Sequence, residues 1–309
     1  MLALAISAQG EAAAVIDVPV TELTTGSIEV AVQAASVNGF DLAVAAGYVW
    51  QYMPHTFPVT LGKDFAGTVR AVGAGVTSVA VGDLVAGVNT LPALGTGTIA
   101  ESFTVAADTV VPVPAGVTAR QAAAVGLAGV TALDVIEALE VKPGDTLLIS
   151  GATGGVGAFA VQLAVARGAR VLATARPGDA TDFVLALGAA DVVDHTGDLA
   201  AAVRAAVPAG VSKAVHAAGD PALLADLLAK GGQLASLVGA TAETVGRDDI
   251  TVIPVRVAYT PAKLASLLEM VAAGGLEVPI SATMTLDDAA EALTQFAKGK
   301  LGKVVVVNE

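Results

Sequence analysis

The stretch Thr146-Leu-Leu-Ile-Ser-Gly-Ala-Thr-Gly-Gly-Val-Gly157 sets a glycine cluster directly after a short apolar run and directly before a segment of helical texture. At Gly154 the missing Cβ lets backbone approach a pyrophosphate, and at Gly157 it lets a helix pack close to a strand. The helix N-terminus offers unpaired N–H groups and the positive end of a dipole. Ala152-x-Gly154-x-x-Gly157 is thus a variant of the dinucleotide fingerprint G-x-G-x-x-G with alanine first. Ala152, Thr153, Gly154, Gly155, Val156 and Gly157 are the residues expected to hold phosphate; the competing reading is a turn that serves packing alone. A mononucleotide P-loop is excluded, because no Gly-Lys-Ser/Thr follows. About 20 residues further on, where this motif places the side chain that reads the ribose 2′ position, stands Thr174-Ala175-Arg176. A guanidinium suits a phosphate and no carboxylate adjoins it, which favours NADPH; Asp179 and Asp182 are the residues that would reach a 2′-hydroxyl instead.

The elements around the motif give it a setting. Up to about residue 118, glycine or proline breaks the chain every eight to twelve residues between short alternating runs such as Ile28–Val37, the texture of a compact β domain. From about Arg120 strands alternate with helices. Helix 121–139, strand 145–150, helix 156–167, strand 170–174, helix 179–187, strand 191–194, helix 198–206, strand 213–217, helix 221–229 and strand 233–238 follow one another. Such alternation means βαβ units and a parallel sheet, so the expected class is α/β, with a doubly wound dinucleotide domain over 119–259. A strand at 251–257, helices at 261–273 and 286–298 and a strand at 303–307 complete the chain. The segment 260–309 is too short to fold alone and is expected to return to the domain formed by 1–118.

Composition limits the partners. At roughly 150 residues per domain, 309 residues suggest two domains. With 54% hydrophobic and 15% charged residues, the chain is not of the disordered class. A formal charge of −13 argues against nucleic acid and anionic lipid surfaces. The uncharged stretches 42–62 and 146–166 are long enough to span a bilayer, but Pro54 and Pro58 interrupt the first and the glycine cluster the second, so no membrane span is expected. The N-terminus lacks a basic start and turns acidic at Glu11, unlike a secretory signal, which leaves a cytoplasmic protein as the expectation. There is no cysteine, and the only histidines are His55, His195 and His216. Thiolate metal sites, Cys nucleophiles and disulfides are therefore excluded, and no Gly-x-Ser-x-Gly elbow supports hydrolysis.

Further pieces lie in order along the chain: Val37-Asn38-Gly-Phe-Asp41, Leu61-Gly62-Lys-Asp64-Phe-Ala66-Gly67, Val81-Gly82-Asp83, Gly129-Val-Thr131-Ala132, Ala160-Val-Gln162-Leu163-Ala164, Leu187-Gly188-Ala189 and Gly302-Lys303-Val304-Val305. With these the sequence resembles the medium-chain dehydrogenase/reductase superfamily, in particular its zinc-free quinone oxidoreductase branch, the group of zeta-crystallin. The resemblance implies a GroES-like β-rich catalytic domain, a Rossmann domain and an active site in the cleft between them. It also implies a homodimer and NADPH-dependent reduction of a quinone or an α,β-unsaturated carbonyl. In addition to the glycine cluster, it implies cofactor contacts at Thr131, Thr174, Arg176, His195, Ala218, Val238, Gly239 and Lys303, with Val238-Gly239 meeting the nicotinamide carboxamide. The chain departs from the pattern at Val193-Asp194-His195, where many relatives carry a tyrosine, at 180–182, where a lysine is common, and at Ala43, an aromatic position in some members.

Reduction of a conjugated carbonyl needs hydrogen-bond donors for the oxyanion that develops. Asn38 and Tyr48 are the candidates, against readings in which Asn38 caps a turn and Tyr48 packs; Thr131 is expected beside the nicotinamide. Lys63 reads as a solvated lysine or an anion binder. The alternatives are an enoyl-thioester reductase, which the acidic charge disfavours because coenzyme A and carrier proteins are themselves anionic, and a nucleotide-binding sensor without turnover. Elemental analysis of the purified protein is expected to find no stoichiometric zinc, and chelators to leave its activity unchanged; one zinc per chain would refute the metal-free reading.

Overall fold

A computed structural model gives the structure of the protein and describes residues 1–299 and 301–308. The glycine-punctuated first part forms β1 (Leu2–Ile6), β2 (Ala14–Asp17), β3 (Ser27–Val37), α1 (Gly39–Ala45), β4 (Val59–Thr60), β5 (Asp64–Val72), β6 (Leu84–Val88), β7 (Ser102–Ala106) and β8 (Val110–Pro112). Helix α2 (Ala119–Ala138) follows. The alternating part comprises β9 (Thr146–Ser150), α3 (Gly155–Ala166), β10 (Arg170–Thr174), α4 (Asp179–Ala186), β11 (Asp191–Val193), α5 (Leu199–Ala206), β12 (Val211–His216), α6 (Pro221–Asp226), β13 (Leu228–Ser236), α7 (Ala242–Val245) and β14 (Thr251–Pro254). The tail contributes α8 (Pro261–Ala272), β15 (Ile280–Thr285), α9 (Ala289–Lys298) and β16 (Lys303–Val307).

Contacts divide the chain into a first unit of residues 1–128 with those from 259 on, and a second unit of 129–258. The division falls inside α2, past the change of texture at about residue 120. One described helix, α2, is long and apolar enough to cross a membrane, and 67% of its most apolar window is buried inside the fold.

In the first unit, a sheet with strand order β15-β16-β3-β5-β6-β8, to which β7 adds by pairing with β3, lies alongside a smaller sheet β2-β1-β4. Strand β16 runs antiparallel to β3, with Val304 opposite Val37 and Val307 opposite Ala34. Leu4, Ile28, Phe65, Phe103 and Val306 share one buried apolar cluster, so residues from both ends of the chain build the same core. Gly67 on β5 is required by close approach: a Cβ there would meet the carbonyl of Ala31 on β3.

The second unit is a parallel sheet of order β11-β10-β9-β12-β13-β14. Its central strand β9 is buried on both faces at Leu147, Leu148 and Ile149, the reason it reads as an unbroken apolar run. The order reverses between β9 and its neighbours β10 and β12, which makes the carboxyl end of β9 the switch point of a doubly wound sheet. Strand β14 is an edge and ends at Pro254 instead of continuing to 257, with Val255 N–H making a last bond to the Ser236 carbonyl at 2.8 Å. Helix α6 ends at Asp226, short of the expected 229, and β13 starts at Leu228, earlier than expected. The short α1 and the strands β1, β2 and β15 carry no strong periodicity and lie outside the sequence expectation.

Gly67→Ala is expected to destabilise the protein by at least about 1–3 kcal/mol, because two backbones must move apart. Urea unfolding measures it, and an unchanged midpoint would contradict the β3–β5 contact.

Candidate functional site

The apolar strand β9 ends at Ser150, and the chain turns through Gly151, at φ +83°, into α3 with Gly154 as its N-cap. A Cβ on Gly154 would meet only the Gly151 carbonyl, at 3.4 Å, so backbone is open to a ligand here. A Cβ on Gly157 would collide with the Gly151 carbonyl and the Ala152 backbone, so this glycine sets how closely α3 lies against the strand. Gly155 and Val156 are half-buried and begin α3, whose first N–H groups have no partner within the helix. The neighbouring strand ends are tied to this turn: Gly151 N–H donates to Thr174 Oγ1 at 3.1 Å and the Ser150 hydroxyl to the Ala218 carbonyl at 2.7 Å. Beside it lies a cavity of about 470 Å³ whose lining includes Ser150, Thr153, Thr174, His195, Ala218 and Gly219. These residues fit a dinucleotide: a glycine cradle at a helix N-terminus, at the switch point, opening on a cavity within the same unit.

Arg176, just past β10, is exposed, and its carbonyl accepts from the Thr181 hydroxyl at 3.0 Å. Chain spacing left it without an adjacent carboxylate, and the register corrects this. Thr174 pairs with Val193, which brings Asp194 and His195 to the same sheet end, near enough for Arg176 to act on the Asp194 charge. The Asp194 carboxylate accepts from Thr196 N–H at 2.8 Å and from its hydroxyl at 2.7 Å, bonds that hold it below the usual carboxylate range. At the opposite side, past β13, Val238 is 58% exposed and Gly239 adopts φ +87°. Thr131 lies half-buried on α2.

The first unit holds a buried polar cluster. Asp64 is fully buried; its Oδ1 accepts from Ser36 N–H (2.8 Å) and hydroxyl (2.7 Å), and its Oδ2 from the Asn38 amide (2.9 Å) and Leu127 N–H (3.3 Å). The Asn38 amide also donates to the Ser36 carbonyl at 3.1 Å, while its oxygen accepts from Lys303 Nζ at 2.8 Å. This corrects the reading of Asn38 as a substrate donor, because its amide is engaged internally; the capping reading holds by position, since Asn38 is the N-cap residue of α1 and its N–H donates to Asp41. Lys303 is corrected likewise. Only 1% exposed, its ammonium lies against Asn38, the Val37 carbonyl and, at 4.0 Å, Asp64, enclosed in the first unit and closed to a cofactor. Burial lowers its affinity for a proton, and the charges of Asp64 and Asp41 counter this.

Asp41 accepts from Asn38 N–H at 2.7 Å and Gly62 N–H at 2.9 Å. Burial nonetheless pushes its carboxyl up to about 6, the two backbone N–H groups opposing and the Asp64 charge adding to the rise. Lys63 is half-buried with Nζ 5.2 Å from the centre of the Phe40 ring, and burial lowers its proton affinity in turn. Tyr48 follows Gly47, at φ +79°, and is 73% exposed at a surface hollow it shares with Trp50; it is not part of the Asn38 cluster.

Two family descriptions match the sequence: alcohol dehydrogenase GroES-like domain over residues 24–115 and zinc-binding dehydrogenase over residues 187–306. The chain is 38% identical over 180 residues to a quinone oxidoreductase of Sus scrofa, covering 58% of this chain and 53% of that one. It is 42% identical over 154 residues to a mycocerosic acid synthase-like polyketide synthase of Mycolicibacterium smegmatis, covering 48% of this chain and 7% of that one. The matches thus span about half of the oxidoreductase and a small part of the synthase. Among solved structures, the quinone oxidoreductase from Coxiella burnetii superposes with a TM-score of 0.89 at 27% identity over 100% of this chain and 99% of that one. A mycobacterial protein complexed with NADPH gives 0.87 at 26% identity over 99% and 100%. The chain belongs to the medium-chain dehydrogenase/reductase superfamily.

The first unit of this medium-chain dehydrogenase/reductase is the GroES-like fold and the second the Rossmann sheet, and its quinone oxidoreductase relatives support the zeta-crystallin-like branch. One matched family is described as zinc-binding, and the residues here do not fit zinc. His55 Nδ1 lies 3.1 Å from its neighbouring Met53 carbonyl, His195 lines the cavity of the second unit, and His216 is buried between Ser236 and Gly219. No three His, Cys, Asp or Glu side chains converge among the described residues. Sequence reasoning passed over Ser36, Asp41 and Asp64 as a hydrogen-bonded group; the only sign was that the pieces Asn38-x-x-Asp41 and Gly62-Lys-Asp64 contain polar residues amid apolar ones.

Asp41 makes a prediction with a definite sign. Because its folded value lies above the ordinary 3.8, the folded state binds its proton more tightly, and stability falls as pH rises from about 4 to about 6, by up to about 3 kcal/mol. Asp41→Asn is expected to remove that component from the pH dependence of urea unfolding. Parallel pH curves for the two proteins would show that Asp41 titrates normally.

Proposed function

We propose that this protein is a zinc-independent, NADPH-dependent reductase of quinones or α,β-unsaturated carbonyls. The observation that carries the reading is the open backbone at Gly154, in a turn whose Gly151 and Thr153 line the cavity at the switch point of the second unit, in a chain similar to quinone oxidoreductases. The backbone from Ala152 to Gly157 binds the pyrophosphate. Arg176 takes the 2′-phosphate, the Thr196 bonds keeping the nearby Asp194 carboxylate occupied. Thr131 and the Val238–Gly239 turn meet the nicotinamide, and Thr174, His195 and Ala218 line the route between. NADPH supplies a hydride when bound. The Tyr48 hydroxyl and the Lys63 ammonium, which makes no ion pair among the described residues, are the donors for the substrate oxygen that gains negative charge. Asn38, engaged by Lys303 and Asp64, belongs to the buried cluster of the first unit and positions its members.

The edge strand β14, where Pro254 leaves a gap in the ladder donors, is the proposed seam of a homodimer. A cytoplasmic protein without nucleic-acid or membrane partners fits the acidic charge and the largely buried α2. The likeness to polyketide synthases over 48% of the chain favours a second reading, reduction of enoyl thioesters.

Loss of NADPH absorbance on addition of quinones, enones and enoyl thioesters separates the two readings. Turnover of quinones or enones is expected, and binding without turnover of any acceptor would overturn the enzyme reading in favour of a sensor. Arg176→Ala is expected to raise the NADPH Kd about 10-fold and to leave NADH unaffected. Equal wild-type affinities, unchanged by the substitution, would show that Arg176 does not read the phosphate.

A further inference from the structure

Two loops at the carboxyl edge of the second sheet, after β12 and after β13, are joined by one buried imidazole. His216, the last residue of β12, is 3% exposed, and its Nε2 lies 3.1 Å from the Gly219 carbonyl. A carbonyl only accepts, so Nε2 carries the proton and Nδ1 presents a lone pair. That lone pair faces Ser236 Oγ at 3.0 Å, and the serine hydroxyl donates to it. Ser236 is 1% exposed, and its oxygen in turn accepts from Val238 N–H at 3.3 Å and Ala240 N–H at 3.0 Å. Each link has one direction: Val238 and Ala240 N–H to Ser236, Ser236 to His216, His216 to Gly219. The relay spans the turn at Gly239 and reaches the cavity wall at Gly219, two glycines with positive φ that have little of their own to hold them.

A dinucleotide at the switch point lays one half on each side of β9. With the 2′-phosphate end at Arg176, over β10 and β11, the nicotinamide half extends over β13, onto Val238–Gly239, while Gly219 lines the cavity that Thr174 and His195 also line. We propose that His216 and Ser236 are a positioning pair that sets the Val238–Gly239 turn for the nicotinamide half of the cofactor, His216 being anchored on the Gly219 carbonyl. The inference rests on the NADPH reading of the site. Neither side chain touches the cofactor; each acts through the backbone it fixes.

The test compares two probes on the full-length protein by fluorescence or calorimetric titration: NADPH, and adenosine 2′,5′-bisphosphate, which lacks the nicotinamide half. Ser236→Ala, which leaves the Gly219 bond in place, is expected to weaken NADPH about 10-fold, the loss of a directed hydrogen bond, while the fragment binds as to wild type; His216→Phe is expected to weaken NADPH to the same extent. The double variant is expected to be no worse than either single one, because both break the same chain. His216→Asn, whose amide oxygen can stand where Nδ1 stands, is expected to recover NADPH binding to within about 3-fold of wild type. Equal weakening of both probes would reduce the pair to a general fold element and overturn the proposal. So would wild-type NADPH affinity in Ser236→Ala, a variant that removes one oxygen and decides the matter even where His216→Phe fails to fold. Wild-type protein that binds neither probe would overturn the cofactor reading itself, an outcome distinct from both.

Discussion

A single ammonium holds the first unit together. Lys303 enters from β16, near the end of the chain, and finds the Asn38 oxygen, the Val37 carbonyl and the Asp64 charge waiting in a region from which water is excluded. Burying that cation alone would cost several kcal/mol, and the same is true of Asp64. Together, with Ser36, Asn38 and Leu127 satisfying the remaining lone pairs, they form a closed set in which no member is removable without stranding another. The packing of β16 on β3, the entry into α1 and the start of β5 all meet at this point. The second unit contains a counterpart: Lys213 is buried with its Nζ on Asp145 at 2.8 Å and on the carbonyls of Leu139 and Glu140 just past the end of α2, where a cation also suits the helix dipole.

What was legible in the sequence follows from how local each signal is. Strand β10 at 170–174 and strand β16 at 303–307 coincide with the runs read from periodicity, and the glycine cluster falls between β9 and α3, where the motif requires it. These depend on neighbours in the chain. The buried cluster depends on residues brought together across 265 positions, and nothing near Lys303 announces Asn38. Asp194 is the same case in miniature: invisible as a neighbour of Arg176 along the chain, it arrives there because parallel strands place Thr174 and Val193 in register. Helix α1 escaped because seven residues carry too little periodicity; its start depends on the Asp41 carboxylate accepting the Asn38 N–H.

The two units treat glycine differently. In the first, Gly67 and Gly97 are places where backbone meets backbone inside a β fold, a packing requirement. In the second, Gly157 has that same role while Gly154, with a single distant neighbour, leaves space unfilled. One motif therefore contains a glycine demanded by the fold and a glycine the fold does not demand. The difference between them is what separates a tight turn from a place to put a phosphate.

The first unit is discontinuous, and this has a consequence for how the chain is made. At about 5–20 residues per second, the ribosome delivers Lys303 roughly 15–50 s after Asn38. Through that interval the edge of β3 that will pair with β16 is open and Asp64 has no cation, while the second unit, continuous over 129–258, has every strand of its sheet. The order of completion is therefore the reverse of the order of synthesis: the unit begun second closes first, and the nascent β3 edge stays an unpaired strand edge until β16 has been made.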